Sequence, residues 1–403
     1  MKKAMLMLED GACFEGVSAG YSGEAYGEIV FNTSMTGYQE IITDPSYKGQ
    51  IVAMTYTEIG NCGVNRYDSE SNRPQAEGFV VKNMSKIASN WRSEMSFIDY
   101  LIKNKIPAIE GIDTRKLVRH IRNNGAMKSV LSAKDTDKKS LLKKVKASEP
   151  LEGRDLAKGV SVKKEYRWPE AKGLKVLDIM RNEKDYLKMW KNKDKFHVVA
   201  VDCGIKHTIL RILTELNCKI TVVPITAKAE RIMELKPDGI FISNGPGDPA
   251  AVPYLVEEIK KLLGKKPMFG ICFGSQLMSL ALGGRTYKLK FGHRGANHPV
   301  RDNKTGRIDI TVQNHGFATD MDSLKGSPHK VEVTHTNLND GTVEGIEVKK
   351  LKCFAIQNHP EASAGPHDHK NIFDRFADYM RQEKKARKTA GHSPGKTAKK
   401  KKN

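Results

Sequence analysis

The sequence predicts an α/β protein in which a mostly parallel sheet flanked by helices follows an α+β N-terminal domain. A length of 403 residues is large for one hydrophobic core, so two domains are expected. Residues 1–150 contain short alternating apolar runs broken by glycine, which are typical of strands joined by turns. Residues 195–383 alternate apolar segments with amphipathic ones, as β-α units of a parallel sheet do.

In the first domain, the stretch GEIVFNTSMTGYQEIITDPSYKGQIVAMTY predicts strands joined by turns. Two helical patterns follow, EMSFIDYLIKNK and DTRKLVRHIRNNG. The second begins with Asp113 or Thr114 as its N-cap and ends at Gly125. Residues 151–194 are charged, rich in lysine and poor in apolar blocks, which predicts a connecting segment that partly wraps a neighbouring domain.

The second domain reads as a regular alternation of strand and helix. The predicted strands are FHVVAVDCG, CKITVVPI, PDGIFISNGPGDP and KPMFGICFG, and the helices between them are IKHTILRILTEL, AERIMEL and YLVEEIKKLLG. Parallel sheets bind ligands at the carboxyl ends of their strands, where Cys203, the SNGPGDP loop and Cys272 all fall.

Composition excludes several classes of protein. No apolar run approaches the roughly 20 residues of a membrane span, and MKKAMLMLEDG meets an acidic pair too early for a signal peptide. The six cysteines lack C-x-x-C spacing, which argues against a zinc site or a disulfide framework. We therefore expect a cytoplasmic protein with reduced thiols and no bound metal.

Residues 384–403 carry nine Lys or Arg and no acid, so they account for +9 of the net charge of +21 and leave +12 over the remaining residues. This segment has no hydrophobic periodicity and is predicted to be a disordered basic tail. We expect nonspecific contacts with nucleic acid at most, although a dedicated nucleic-acid role for the tail is the alternative.

The motif Gly270-Ile271-Cys272-Phe273-Gly274 has the spacing of a nucleophile elbow, where small residues flank the nucleophile on a sharp strand-to-helix turn. The helix N-terminus that follows favours a thiolate. Downstream, the apolar CFAIQN leads into His359-Pro360-Glu361. In an extended segment residues two apart point the same way, so Glu361 is predicted to orient the His359 ring toward the thiol.

The SNGPGDP loop, residues 243–249, supplies glycines whose N–H groups can approach a substrate closely. An oxyanion hole would take one donor from Gly245 and one from Phe273. SNGPGDP, GICFGSQ and HPE, in this order, resemble the class I triad glutamine amidotransferases. The resemblance implies that Cys272 attacks the side-chain amide of glutamine, His359 relays the proton and Glu361 orients His359.

The first half carries a second resemblance. FNTSMTGYQEIITDPSYKGQIVAMTYTEIGNCGVN and EGIDTRKLVRHIRNNGAM resemble the N-terminal domain of carbamoyl phosphate synthetase small subunits, as do KFGHRGANHPV and TVQNHGFA later in the chain. This likeness covers roughly residues 4 to 382. It implies a large-subunit partner that contacts residues 1–150, receives ammonia through a tunnel, and holds ATP and Mg. No cofactor is expected in this chain.

The resemblance also implies a pocket for L-glutamine at the domain junction. Its residues would be Ser46, Gly245, Gly247, Phe273, Gln276, Asn314, Gly316 and Phe317. Two positions depart from the family pattern. Ser275 stands where histidine is common, and Asn358 stands where glycine is common, although asparagine tolerates positive φ.

Two alternatives remain at this point. Another class I amidotransferase or a γ-glutamyl hydrolase would share the second domain but not the first. A non-catalytic scaffold would leave Cys272 structural. The SPGKT stretch lacks the glycine and preceding strand of a phosphate loop, and the close-set His367, Asp368 and His369 do not favour a metal site.

Overall fold

The computed structural model describes residues 2–168 and 195–390. Most strands of these residues belong to one of two large sheets. A closed barrel lies within the first domain, and a ten-stranded sheet forms the second. This arrangement confirms the predicted fold class, an α/β chain in two parts.

The barrel contains seven strands in the order β1-β2-β8-β6-β4-β3-β9. Its interior is filled by alternating side chains such as Leu6, Ile29 and Ile51, all fully buried, as the two-residue period of a strand requires. A small two-stranded sheet joins β5 to β7. The strands are β1 (Lys3–Leu8), β2 (Cys13–Ser18), β3 (Glu24–Asn32), β4 (Gln50–Met54), β5 (Glu58–Ile59), β6 (Gly78–Val80), β7 (Asn83–Met84), β8 (Ala108–Glu110) and β9 (Met127–Ser132).

Four helices accompany the barrel: α1 (Tyr38–Thr43), α2 (Phe97–Lys103), α3 (Thr114–Asn124) and α4 (Lys138–Ala147). The predicted cap of α3 is confirmed, since the Asp113 carboxylate accepts from the Lys116 N–H at 2.8 Å. Gly125 ends this helix at a φ of 100°. The prediction of strands alone over residues 27–56 is wrong for α1, which begins after Gly37 at a φ of 83°. A 3-10 turn, Pro45–Tyr47, follows α1.

The connecting segment takes part in the second domain. It contains the short helix α5 (Ala157–Val160) and the strand β10 (Tyr166–Arg167). Strand β10 pairs antiparallel with the edge of the second sheet, at Val222 and Thr221. Residues 169–194 of the predicted segment lie outside the described residues.

The second sheet has a parallel centre. Its strands run in the order β10-β12-β11-β13-β14-β19-β18-β17-β15-β16, and β12, β11, β13, β14 and β19 are mutually parallel. Antiparallel strands β15 to β18 extend the sheet on one side. The strands are β11 (Phe196–Asp202), β12 (Cys218–Pro224), β13 (Gly239–Ile242), β14 (Met268–Ile271), β15 (Thr286–Asp302), β16 (Ile308–Thr319), β17 (Glu332–Asn337), β18 (Val343–Val348) and β19 (Cys353–Ile356).

Helices cover both faces of this sheet: α6 (His207–Glu215), α7 (Ala229–Glu234), α8 (Pro253–Leu262), α9 (Phe273–Ala281), α10 (Met321–Leu324) and α11 (Ile372–Ala390). On one face, α6 and α11 pack on a cluster of aromatic rings. The rings of Phe269 and Phe354 stack there at 4.5 Å between centroids, and Phe376 packs beside them. On the other face, α7, α8 and α9 bury an aliphatic cluster.

Helix α11 corrects the predicted start of the basic tail. Residues 384–390 are helical, so the prediction of disorder from residue 384 is wrong over this stretch. Residues 391–403 lie outside the described residues. Over residues 2–168 and 195–390, none of the helices has the length and apolarity needed to cross a membrane.

Candidate active site

The candidate nucleophile lies on a sharp turn between β14 and α9. Cys272 has φ 53° and ψ −105°, a conformation that few residues other than glycine adopt. Its N–H donates to the Ile356 carbonyl of β19 at 2.8 Å. The turn therefore fixes the thiol at the carboxyl edge of the parallel strands, where the sequence placed it.

The flanking glycines leave room for this turn. A Cβ atom on Gly274 would lie 2.2 Å from the Ile242 carbonyl oxygen. A Cβ atom on Gly270 would lie 2.7 Å from the Met278 sulfur. Because real Cβ atoms do not approach backbone so closely, position 274 requires glycine for steric reasons.

The imidazole of His359 is oriented by a carboxylate. His359 Nδ1 and Glu361 Oε1 are 2.6 Å apart. His359 and Glu361 lie in a turn, in which the Ala362 N–H donates a hydrogen bond to the His359 carbonyl at 3.1 Å. The sequence had predicted an extended segment here. His359 Nε2 is buried and makes no hydrogen bond to the described residues, and the Cys272 sulfur is close enough to raise the pKa of the ring.

Burial and charge act in opposite directions on this pair. Burial lowers the pKa of His359, but the negative charge of Glu361, together with the neighbouring Cys272 sulfur, outweighs burial and raises the pKa to about 10. Burial likewise tends to raise the pKa of Glu361, whereas the positive charges of Lys206 and His359 lower it to about 2. An imidazolium and a carboxylate are therefore the stable forms at neutral pH.

Lys206 is a site residue that sequence reasoning missed. Its Nζ lies 3.0 Å from Glu361 Oε1 and donates to the Ala362 carbonyl at 2.8 Å. Both charged side chains are almost fully buried, with exposed fractions of 3% and 0%. One feature of the sequence indicated that Lys206 belongs to the site, namely its position four residues after β11, at the carboxyl edge of the sheet.

One cavity beside the thiol collects most of the predicted pocket. It is lined by Cys272 and by seven of the eight residues predicted for glutamine: Ser46, Gly245, Gly247, Gln276, Asn314, Gly316 and Phe317. Phe273 lies next to the thiol in the chain, and its N–H belongs to the first turn of α9, which has no intrahelical acceptor. The lining also includes residues that sequence reasoning missed, namely Glu28, Gln50, Leu151, Arg294 and His315.

Side chains of both domains fix the walls of this cavity. Ser46 Oγ, from the first domain, accepts from Asn244 Nδ2 at 3.0 Å. Asn314 Nδ2 donates to Asp44 Oδ2 at 2.9 Å, while its carbonyl lies 3.6 Å from the Cys272 sulfur. Gln276 Nε2 donates to the Phe317 carbonyl at 2.8 Å. The pocket is complete only where the two domains meet.

The loop predicted to form an oxyanion hole packs tightly. A Cβ atom on Gly245 would lie 2.3 Å from the Cys203 carbonyl oxygen, and Gly247 has a φ of 90°. Both positions therefore favour glycine for physical reasons. The N–H of Phe273 and the Gly245 loop lie at the same edge of the sheet as the thiol.

The two departures from the family pattern are accommodated in different ways. Ser275 is buried in the first turn of α9, where its carbonyl accepts from Ser279 Oγ at 2.9 Å. Asn358 does not adopt the positive φ that glycine would favour. Its side-chain oxygen lies 3.2 Å from His369 Nδ1, so the buried histidine is its partner.

One group of potential metal ligands occurs among the described residues: His293, His315 and Glu344, with ligand atoms within 4.8 Å of one another. Most of their polar atoms already have protein partners. His293 Nε2 lies 2.8 Å from Asp340, and Glu344 accepts from Gln313 and Asn337. This arrangement reads as a hydrogen-bond network supporting β16, and the expectation of no metal stays a prediction.

Comparison with known proteins agrees with this architecture. Residues 6–131 match the family described as "Carbamoyl-phosphate synthase small chain, CPSase domain", and residues 199–379 match "Glutamine amidotransferase class-I". The second domain is therefore that of a class I glutamine amidotransferase.

Relatives align with nearly the whole chain. The carbamoyl phosphate synthase small chain of Syntrophotalea carbinolica is 50% identical over 384 residues, covering 95% of this chain and 99% of the relative. That of Aquifex aeolicus is 50% identical, covering 93% and 98%. The chloroplastic small chain of Arabidopsis thaliana is 46% identical, covering 95% and 86%. The chain belongs to the carbamoyl phosphate synthase small chain family.

Replacing Gly274 with alanine tests the steric argument for the elbow. The added Cβ would meet the Ile242 carbonyl, so Gly274→Ala should destabilise the second domain by about 1–3 kcal/mol. Gly159→Ala is the matched control, since nothing lies within 4 Å of the added atom. Differential scanning calorimetry would measure both. Equal melting temperatures for the two variants would contradict the argument.

The raised pKa of His359 predicts how stability changes with pH. Its pKa is about 10 in the fold and about 6.5 when unfolded, so protonation stabilises the native state. The contribution is complete below about pH 6.5 and is lost as the pH rises toward 10. Wild type should therefore lose stability between pH 7 and 10 more steeply than His359→Gln. If the melting temperatures of wild type and His359→Gln fell equally between pH 7 and 10, His359 would not be protonated in the native state.

Proposed function

We propose that this chain hydrolyses L-glutamine at Cys272 and delivers the ammonia to the large subunit of a carbamoyl phosphate synthase. The observation that carries the proposal is the arrangement of Glu361, His359 and Cys272 beside a cavity lined by the predicted glutamine residues. Family membership supports the same conclusion independently.

The proposed reaction begins with attack of the Cys272 thiolate on the side-chain amide carbon of glutamine. Negative charge develops on the amide oxygen, where the N–H groups of Phe273 and Gly245 would stabilise it. The His359 imidazolium then gives its proton to the departing nitrogen, and a glutamyl thioester remains. His359, now neutral, accepts a proton from water, which attacks the thioester and releases glutamate.

Glu361 and Lys206 act through the imidazole in this scheme. The carboxylate keeps Nδ1 of His359 hydrogen-bonded and leaves Nε2 to exchange protons with sulfur and nitrogen. The ammonium of Lys206 keeps that carboxylate ionised without contacting the substrate.

A route for ammonia is supported by two further cavities. The first lies behind Asn314 and includes His359, Asp44 and residues of α1. It shares Thr36, Gly37 and Glu40 with a second cavity, inside the first domain. Burial raises the pKa of Glu40 to about 8, and the negative charge of Asp68 contributes to this shift. A largely neutral carboxyl would not trap ammonium along this route.

The large subunit would hold ATP and Mg and supply the bicarbonate chemistry, with no cofactor in this chain. A closed route matters because free ammonia is mostly protonated in neutral water and is then not nucleophilic. We propose a cytoplasmic location, supported by six cysteines that are all unpaired. Any nucleic-acid contact of the basic tail would be nonspecific.

Cys272→Ser should affect carbamoyl phosphate synthesis from glutamine but not synthesis from free ammonia. Loss of the thiolate should reduce glutamine-dependent carbamoyl phosphate synthesis by at least about 10⁴-fold, the scale of losing a catalytic nucleophile. Synthesis from added ammonium chloride should remain. Cys13→Ser, in strand β2 of the barrel, is the control and should keep both activities. Unchanged glutamine hydrolysis in Cys272→Ser would refute the proposed function.

Thr36→Trp tests the route. A large side chain where two cavities meet should let glutamine hydrolysis continue while carbamoyl phosphate formed per glutamine falls several-fold. The released ammonia should then appear in solution. Met35→Trp adds the same side chain at a neighbouring, 69% exposed position outside these cavities and should remain coupled. Full coupling in Thr36→Trp would rule out this path.

A further inference from the structure

A buried arginine lies in the same cavity as the thiol. Arg294, in β15, is only 3% exposed and lines the cavity beside Cys272 and Gly316. Its Nη1 donates to the Phe291 carbonyl at 2.8 Å, but its buried Nε has no hydrogen-bond partner among residues 2–168 and 195–390. No carboxylate in that part of the chain forms an ion pair with it.

A buried guanidinium without a carboxylate is costly, because the charge loses its hydration and gains no partner. The acidic residue that lines the cavity, Glu28, is already paired with Lys288 Nζ at 2.6 Å. Burial lowers the pKa of Arg294, yet an arginine remains charged at physiological pH. Glu28 and the Cys272 sulfur act on this charge through space, but no carboxylate of the described residues is hydrogen-bonded to the guanidinium.

The surrounding backbone is shaped to admit this guanidinium. A Cβ atom on Gly292, which has a φ of 73°, would lie 2.2 Å from Arg294 Nη1. A Cβ atom on Gly316 would lie 3.3 Å from Arg294 Nη2. Nη2 therefore lies against Gly316, one of the residues predicted to bind glutamine.

The orientation of the substrate decides which group would reach the arginine. The amide of glutamine must lie at the Cys272 sulfur, so the α-carbon end extends away from it along the cavity. The substrate then has one full negative charge to offer, its α-carboxylate. Carboxylates and guanidinium groups form strong charge-assisted hydrogen bonds, with two parallel bonds where the geometry allows.

We propose that Arg294 binds the α-carboxylate of glutamine and is the residue that selects substrates carrying a free carboxylate at that position. This inference rests on the proposed function, since it assigns a specificity residue to the same site. It also accounts for a charged side chain in the wall of the cavity that has no hydrogen-bonded carboxylate among the described residues.

The test compares two substrates in the complex with the large subunit: L-glutamine and L-glutamine α-amide, whose α-carboxylate is replaced by a neutral carboxamide. In Arg294→Gln, kcat/KM for glutamine should fall about 10- to 100-fold, the range for one hydrogen bond to a charged group. Most of the loss should be in KM. For the α-amide, kcat/KM should stay within about twofold, so the preference for glutamine collapses.

Arg294→Lys, which keeps the charge but not the planar group, should lie between wild type and Arg294→Gln. Arg301→Gln is the matched control in the same strand and should behave as wild type. An equal loss for both substrates would overturn the inference, because Arg294 would then act on the thiol or on folding.

A binding measurement separates this inference from the proposed function. Calorimetry with L-glutamate, the expected product, requires no catalysis and should show weaker binding to Arg294→Gln by the same 10- to 100-fold. Unchanged glutamate affinity would refute the role of Arg294 even if Cys272 proves to be the nucleophile. Iodoacetamide, which has no carboxylate, should alkylate Cys272 at the same rate in wild type and Arg294→Gln, and a slower rate in the variant would count against the inference.

Discussion

The site depends on a buried line of charges that runs from Lys206 through Glu361 to His359. Isolated, each of these groups would lose more hydration on burial than the fold could restore. Together, the ammonium keeps the carboxylate ionised, and the carboxylate keeps the imidazole protonated. The Cys272 sulfur lies next in this series and also raises the pKa of His359. Removal of any one member changes the protonation state of the next, which is why these residues are better regarded as one unit than as separate catalytic groups.

The scaffold brings these groups together by two different means. The carboxyl edge of the parallel strands supplies Lys206, the glycine loop, the cysteine and the histidine from four strands in turn. The remaining wall is built where the barrel docks against that edge, through Ser46 on Asn244 and Asp44 on Asn314. The amidotransferase domain alone would therefore hold the nucleophile but lack one side of the pocket. In this chain the first domain therefore supplies one wall of the pocket.

Sequence reasoning reached the parts of the site that depend on local geometry. The elbow is recognisable because the glycines around Cys272 are required by a turn of a few residues, and the pairing of His359 with Glu361 also involves neighbours in the chain. The barrel, Lys206 and Arg294 were missed because their roles depend on contacts between distant segments. Helix α1 was misread as strand because Ile41 and Ile42 are adjacent apolar residues, which suit either structure over so short a length. The helical stretch at 384–390 was predicted to be disordered from its charge and lack of apolar periodicity, whereas lysine, arginine and alanine have good helix propensity and continue α11.

The Asp44 side chain links the first domain to the neighbourhood of the Cys272 sulfur. One of its oxygens accepts from the Ser46 N–H, and the other accepts from Asn314, whose carbonyl faces the sulfur of Cys272. A displacement of the short 3-10 turn after α1 would pull on Asn314 and shift its backbone carbonyl, which lies 3.6 Å from the Cys272 sulfur. Docking of another chain on the barrel could thus set the rate of glutamine use mechanically, by moving one carboxylate, without any contact between that chain and the substrate.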